Sequence, residues 1–325
     1  MAGERFLVTG ALGCIGAWVI RLLIREGITA SVFDLAGNPH RLRLILSDEE
    51  LAFVRFIHGD ISDFPIVEEA IKESGSTHII HLAALQVPFC KADPPLGASV
   101  NVVGTVNIFE AAKRAGLQRV VYASSVAVYG ASEDYDGPVT QDAPLKPRTH
   151  YGVYKQANEG TARIYWMDDR ISSIGLRPYV VYGPGRDQGI TSGPTKAMLA
   201  AAAGLPYHIS FGGRALYQYA EDVARSFIIA ARAPFEGAGV FNVPGRSLDV
   251  SEIISAIEVV APSSRGRITF DPKPLPLPEN VDFDSFTSEV GPLQSISLEK
   301  GVAATIDLFR EAQTAGKPFL NGTLL

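Results

Sequence analysis

Apolar-rich runs recur along the first half of the chain at residues 6–8, 30–33, 54–58, 78–82, 120–124 and 173–176. Between them, apolar residues return at helical spacing over 15–26, 66–74 and 100–115. Each of these stretches is followed by a glycine (Gly27, Gly75, Gly116), which suits the left-handed turn that closes a helix. Largely apolar strands alternating with helices predict a parallel sheet covered on both faces. The expected class is α/β with a doubly wound parallel sheet. Ligands of such sheets bind beyond the carboxyl ends of the strands, so chemistry is expected just after each apolar run.

After Arg177-Pro178 the pattern changes. Gly and Pro become frequent, and tyrosines cluster at Tyr179, Tyr182, Tyr207, Tyr217 and Tyr219. The run from Asp271 to Pro278, with proline at every second position, predicts an extended connection. Residues 197–205 are too short to span a bilayer and predict a buried or amphipathic helix. A last helix is expected over 298–312, capped by Ser297. Residues 1–177 are therefore expected to form the nucleotide-binding part, with segments near 221–244 returning to it. Residues 178–325 should form mainly a smaller C-terminal substrate lobe.

Composition narrows the class. At 325 residues, with 46% hydrophobic and 20% charged residues, the chain can bury a full core. A net charge of −6, with no cluster of lysine and arginine, argues against a nucleic-acid or membrane surface. Two cysteines, Cys14 and Cys90, make no disulfide framework and fit a reducing cytoplasm. The polar Met1-Ala2-Gly3-Glu4-Arg5 carries no signal-peptide pattern.

The first run opens directly into Gly10-Ala11-Leu12-Gly13-Cys14-Ile15-Gly16. Gly10 allows the tight turn, Gly13 lets backbone approach a pyrophosphate, and Gly16 lets the helix pack on the strand. The helix N-terminus then offers free N–H groups to phosphate. The sheet is thus expected to be of the Rossmann type. Asp34 ends the second run and can accept hydrogen bonds from both hydroxyls of an adenosine ribose. It would repel a 2′-phosphate, and no arginine follows immediately, which favours NAD over NADP.

Tyr151-Gly152-Val153-Tyr154-Lys155 sets a tyrosine and a lysine one helical turn apart on one face. A tyrosine normally titrates near pH 10. A neighbouring lysine cation and the positive nicotinamide of NAD are expected to lower that value and make a base. Ser124 and Ser125 close the buried run 120–124, where a hydroxyl could bond a substrate oxygen or simply cap the loop. His78 and His81 lie three apart on a strand and so face opposite sides, which excludes a shared metal. No metal is expected.

These motifs occur in order with His58-Gly59-Asp60-Ile61, His81-Leu82-Ala83-Ala84, Asn101-Val102-Val103-Gly104-Thr105, Ser124-Ser125 before Val128-Tyr129-Gly130, Leu176-Arg177-Pro178 and Val181-Tyr182-Gly183-Pro184-Gly185. The series resembles the extended short-chain dehydrogenase/reductases, the NAD-dependent epimerase/dehydratase superfamily of UDP-galactose 4-epimerase, over roughly residues 4–310. The resemblance implies that Ser125, Tyr151 and Lys155 are catalytic. It also implies cofactor contacts at the Gly10–Gly16 turn with Cys14 and Ile15, at Asp34 and Leu35, and at Asp60 and Ile61. Further contacts are implied at Leu82, Ala83, Ala84, Gln86, Asn101, Ser124 and Tyr179. Hydride would pass from a carbinol to NAD while Tyr151 takes the hydroxyl proton. A homodimer through the helices at 100–115 and 151–166 is implied as well.

Two departures bear on substrate. Nucleotide-sugar members usually carry an asparagine at the place of Val180 and an arginine at the place of Ala215, both for the substrate diphosphate. Arg214 stands one position away and could substitute. A buried diphosphate needs paired cations. The sequence therefore favours a small carbohydrate-like substrate without a nucleotide, such as a sugar or sugar acid, with Gln86, Ser125, Tyr151 and Arg186 as substrate contacts. Arg186, in a glycine-rich stretch, could pair with a carboxylate or phosphate. The alternatives are a nucleotide-sugar epimerase or dehydratase, and a non-catalytic NAD-binding protein. The intact Ser125/Tyr151/Lys155 set argues against the last.

Overall fold

A computed structural model describes residues 3–316. Met1, Ala2 and residues 317–325, the outer ends of the two expected segments, lie outside the described residues. Six strands of the first half are β1 (Arg5–Thr9), β2 (Thr29–Asp34), β3 (Arg55–His58), β4 (His78–His81), β5 (Arg119–Ala123) and β6 (Ser172–Arg177). The second half adds β7 (Val180–Tyr182), β8 (Tyr207–Ile209), β9 (Arg214–Tyr219), β10 (Ala238–Asn242), β11 (Arg246–Asp249) and β12 (Ile268–Phe270).

The main sheet runs β10-β6-β5-β4-β1-β2-β3, with every pair parallel. This is the doubly wound Rossmann order with one strand added at its edge. The chain reverses direction across the sheet between β1 and β4, and a crevice opens there beyond the strand ends.

Alternate residues of each strand feed two cores. Phe6, Val8, Val32, Ile80, Val121 and Ile174 pack on one face with the helices Cys14–Arg25 and Ala220–Arg232. Leu7, Phe33, Ile79, Val120 and Tyr122 pack on the other with Phe64–Ser74 and Gly104–Arg114. Each such side chain contributes about 1.5–3 kcal/mol of burial. The first core continues without a break into Tyr182, Met198, Tyr217, Phe286 and Phe309 of the second half.

Local chemistry sets the helix ends. Asp63 accepts from Ile66 N (3.3 Å) and Gly75 closes the helix at φ 55°. Ser297 accepts from Lys300 N and starts the last helix, Leu298–Thr314. The alanine-rich helix is Gly193–Ala202, mostly buried, and it packs on that last helix. The helix expected over 100–115 is not one continuous element. Pro94–Ala98 leads into a widened π turn, Ser99–Val103, before Gly104–Arg114 begins. The widening has a cause: Asn101 turns inward and its amide holds the backbone of Leu85 at both ends.

The proline-rich strap is extended as expected. It bridges to Gly212 through Pro274, receives the Tyr179 hydroxyl on Pro278 O (2.8 Å), and brings Leu277 to the crevice.

Candidate active site

The crevice is a cleft of about 510 Å³ lined from both halves of the chain. Its floor is the glycine turn. Gly10 adopts φ 64°, and a Cβ there would sit 2.5 Å from Ala83 N. A Cβ on Gly16 would sit 2.5 Å from Ala11 Cα. Gly13 differs, since its Cβ would meet only Gly10 O at 3.1 Å. Gly13 also caps the helix Cys14–Arg25 without a side chain. Gly13, Cys14, Ile15 and Gly16 all line the cleft, so the helix N-terminus and its N–H groups border it.

Asp34 stands at the end of β2. One carboxylate oxygen accepts from Leu12 N and the other from Ala36 N, both at 2.9 Å. A carboxylate has about four acceptor sites, so it can still take ribose hydroxyls. Asp60 accepts from Ser62 through one oxygen. Leu35, Ile61, Leu82, Ala83, Ala84 and Gln86 also line the cleft. A turn that only glycine can make, an uncapped helix start and an acid at the β2 end form a donor and acceptor set that fits NAD.

Three sequence-predicted cofactor residues are committed to other partners. Asn101 is fully buried and absent from the lining, its amide spent on Leu85 and Cys90. Ser124 lines the cleft, but its hydroxyl donates to Glu159. Tyr179 lines the cleft, but its backbone N–H donates to Gln218 Oε1 (2.7 Å).

Thr149 caps the helix His150–Asp169 by accepting from Gly152 N (3.0 Å), which fixes where Tyr151 and Lys155 project. Ser125, Tyr151 and Lys155 meet in the cleft. Ser125 hydrogen-bonds the Tyr151 phenol. The Lys155 amine donates to Ala123 O (2.7 Å) and lies 5.6 Å from the centroid of the Tyr151 ring. Burial pushes the Tyr151 phenol above its ordinary value, opposed by the Ser125 hydrogen bond and the Arg186 charge. This departs from the expectation that Lys155 supplies the lowering pull. The amine sits over the ring and is itself desolvated, which brings it down to about 8, against the opposing pull of Cys90 and Glu159.

Beneath the site, Arg177 and Glu159 form a buried pair (2.7 Å) that also holds Ser124 and Tyr129. Glu159 escaped sequence reasoning, although its position four residues after Lys155 was a usable signal. His81 is buried, with Nδ1 2.7 Å from Thr9 Oγ1 and Nε2 3.1 Å from Thr105 Oγ1. Thr105 gives its own proton to Asn101 O (2.7 Å), so His81 Nε2 must be the donor and Nδ1 the acceptor. Desolvation lowers this imidazole to about 3, consistent with a neutral structural ring. No group of side chains suited to a metal occurs among the described residues.

The loop after β7 forms the far wall. Arg41, also missed by the sequence reading, donates to Leu12 O (2.9 Å) in the glycine turn and forks onto Asp187 in this loop. Trp18 Nε1 donates to Pro184 O (2.9 Å). Arg186 Nη2 donates to Thr191 Oγ1 (3.0 Å). Arg214 lies outside the cleft, on Ser247 O and Glu252, while Val180 and Ala215 are buried.

Residues 6–243 match the NAD dependent epimerase/dehydratase family. The chain is 31% identical over 318 residues to a UDP-glucose 4-epimerase of Mycolicibacterium smegmatis, covering 94% of this chain and 98% of that protein. It is 30% identical over 292 residues to a D-erythronate dehydrogenase of Cupriavidus necator, covering 82% and 85%. The structure of a Thermus thermophilus UDP-glucose 4-epimerase in complex with NAD superposes with a TM-score of 0.80 at 27% identity, covering 95% of this chain and all of that one. No helix among the described residues is long and apolar enough to cross a membrane. The chain belongs to the NAD-dependent epimerase/dehydratase family and is an NAD-dependent enzyme of the extended short-chain dehydrogenase/reductase type.

Proposed function

We propose that this enzyme is an oxidoreductase or epimerase acting on a carbinol of a carbohydrate-like substrate that carries no nucleotide. The observation that carries the reading is the inventory of cations at the cleft. Among the described residues, Arg41, Lys155 and Arg186 are the lysines and arginines lining it. Arg41 is committed to Asp187, and Lys155 to Ala123 O beside Tyr151. Arg186 remains, which suits one negative charge better than the two of a diphosphate. Arg214, the substitute that a nucleotide sugar would need, pairs with Glu252 on the surface.

Tyr151 takes the hydroxyl proton of the carbinol, and the Ser125 hydroxyl beside it, turned from the phenol to the substrate, donates to the same oxygen as it becomes a carbonyl. Arg186 and Ser125 are the groups that favour the deprotonated phenol, while Lys155 stands 5.6 Å from the ring centroid with its amine held on Ala123 O. The Gly10–Gly16 turn and Asp34 would hold NAD, which would supply the hydride acceptor for the carbinol carbon. A D-erythronate dehydrogenase among the relatives supports a sugar-acid substrate, and the UDP-glucose 4-epimerases among them define the competing reading.

A homodimer is part of the proposal. Val153, Ile164 and Met167 repeat along one exposed stripe of the helix His150–Asp169, beside exposed Val103 and Val106. The free thiols Cys14 and Cys90 fit a reducing, cytoplasmic setting.

A screen of sugars, sugar acids and nucleotide sugars tests the reading, with NADH formation and epimer ratio as readouts. Turnover of free sugars or sugar acids that is lost in Tyr151→Phe and unchanged in Arg214→Ala is expected. Turnover of nucleotide sugars alone, lost in Arg214→Ala, overturns it.

A further inference from the structure

Two polar atoms in the cleft wall are buried without a hydrogen-bond partner among the described residues: Gln86 Oε1 and Arg186 Nε. They come from opposite walls, Gln86 from the segment after β4 and Arg186 from the loop after β7. The side chains converge over one residue, Gly189, at φ 93°. A Cβ on Gly189 would stand 2.3 Å from Gln86 Oε1 and 3.2 Å from Arg186 Nη2. Only a residue without a side chain at 189 therefore lets the Gln86 amide oxygen and the Arg186 guanidinium both come up against this loop.

The two atoms ask for opposite things. Arg186 Nε is a donor and wants an acceptor, preferably an anion. Gln86 Oε1 is an acceptor and wants a hydroxyl or N–H. Leaving both groups buried and unsatisfied costs free energy, which an incoming ligand recovers. Arg186 is also near enough to the Tyr151 phenol to act on its ionisation. The pair is therefore on the substrate side of the site.

Resting on the non-nucleotide reading above, we infer that Arg186 and Gln86, meeting over Gly189, form the specificity subsite for a polyhydroxy monocarboxylate. Arg186 takes the carboxylate, Gln86 Oε1 accepts from a hydroxyl beside it, and the carbinol to be oxidised reaches Ser125 and Tyr151. A ligand with an anion next to a hydroxyl satisfies both orphan atoms, whereas a neutral polyol satisfies only the second. Thr191, bonded to Arg186 Nη2, fixes the guanidinium without using Nε.

The test pairs D-erythronate, D-ribonate and D-gluconate with erythritol, ribitol and sorbitol. NADH formation gives kcat/KM, and calorimetry on the Tyr151→Phe protein with NAD gives binding without turnover. The acids are expected to exceed their neutral counterparts by about 100-fold in kcat/KM, the cost of leaving a buried charge without its partner. Arg186→Met should erase that preference, mostly through KM, and the calorimetric affinity for the acid should fall in parallel. Arg186→Lys, which keeps the charge but not the fork, should recover part of it. An NAD affinity equal to that of the parent enzyme certifies the fold of each variant. Equal use of acids and neutral polyols, with NADH formation still dependent on Tyr151, overturns the subsite and leaves the proposed function standing. Turnover of nucleotide sugars alone overturns both.

Discussion

Arg41 and Asp187, 146 positions apart, meet in a forked ion pair with Nη2–Oδ1 at 2.7 Å and Nε–Oδ2 at 3.1 Å. The same arginine donates to Leu12 O. One side chain therefore ties the glycine turn to the wall on the substrate side.

Removing that clasp should cost stability and cofactor affinity together. Arg41→Ala leaves the partly buried Asp187 carboxylate with only His40 Nε2, at 3.3 Å, of its two side-chain partners and should lower the unfolding free energy by about 2 kcal/mol. NAD affinity should fall about tenfold as the turn loses its brace. Adding Asp187→Ala to Arg41→Ala should recover part of the stability, the signature of direct coupling. Urea unfolding and NAD calorimetry read both effects; full additivity of the two substitutions would deny the coupling.

The three glycines of the turn should separate into structural and ligand-facing positions. Gly16→Ala drives a Cβ into the backbone of Ala11 and should prevent folding or cost several kcal/mol. Gly13→Ala meets only one oxygen at 3.1 Å. It should fold with a melting temperature near that of the parent, yet bind NAD at least tenfold more weakly, because its methyl intrudes where the pyrophosphate approaches. Thermal melts beside NAD titrations make the comparison, and tight NAD binding by Gly13→Ala counts against the assignment.

Lys155 gives a prediction with a definite sign. Burial lowers its amine from 10.5 to about 8. Between pH 8 and 10.5 the unfolded chain holds a proton that the folded chain has released, so this residue makes stability rise with pH. Below pH 8 the full cost of the buried cation applies. Relative to Lys155→Met, the parent should gain about 3 kcal/mol from pH 7.5 to pH 10.5. Urea midpoints at the two pH values decide it, and parallel curves for the two proteins would mean the amine is not desolvated. The variant should also lose activity, so the cation destabilises the fold for the sake of the site.

Much of this site could be read from the chain because its chemistry is local. The glycine turn needs seven consecutive residues, and Tyr151 and Lys155 are one helical turn apart, so spacing alone places them. Arg41 with Asp187 and Gln86 with Gly189 left no such trace. Each pair joins segments about a hundred or more residues apart, and no periodicity connects them. The inward turn of Asn101 and the commitment of the Ser124 hydroxyl to Glu159 were hidden for a different reason: a polar side chain near a strand end can serve ligand or protein, and only packing decides which. The strands β7, β9 and β11 likewise did not stand out, because they lie among the glycines and prolines of the second half.

The exposed stripe on His150–Asp169 predicts assembly. Val153→Asp places a charge at the N-terminal end of the stripe and should convert a dimer to a monomer in sedimentation velocity, with NAD binding retained. A parent protein that sediments as a monomer at micromolar concentration would dispose of the dimer.

The place of β10 in the main sheet has a consequence for how the protein is made. β6 is buried along its whole length, and its outer edge is covered only by residues Ala238–Asn242. Translation at about 5–20 residues per second leaves that edge open for several seconds after β6 emerges. During that interval the nascent chain offers an unpaired, apolar strand containing Ile174 and Leu176, a template for pairing with other chains. Chaperone dependence should therefore be concentrated between synthesis of residues 177 and 242, and chains truncated in that interval should aggregate while those extended past Asn242 should not.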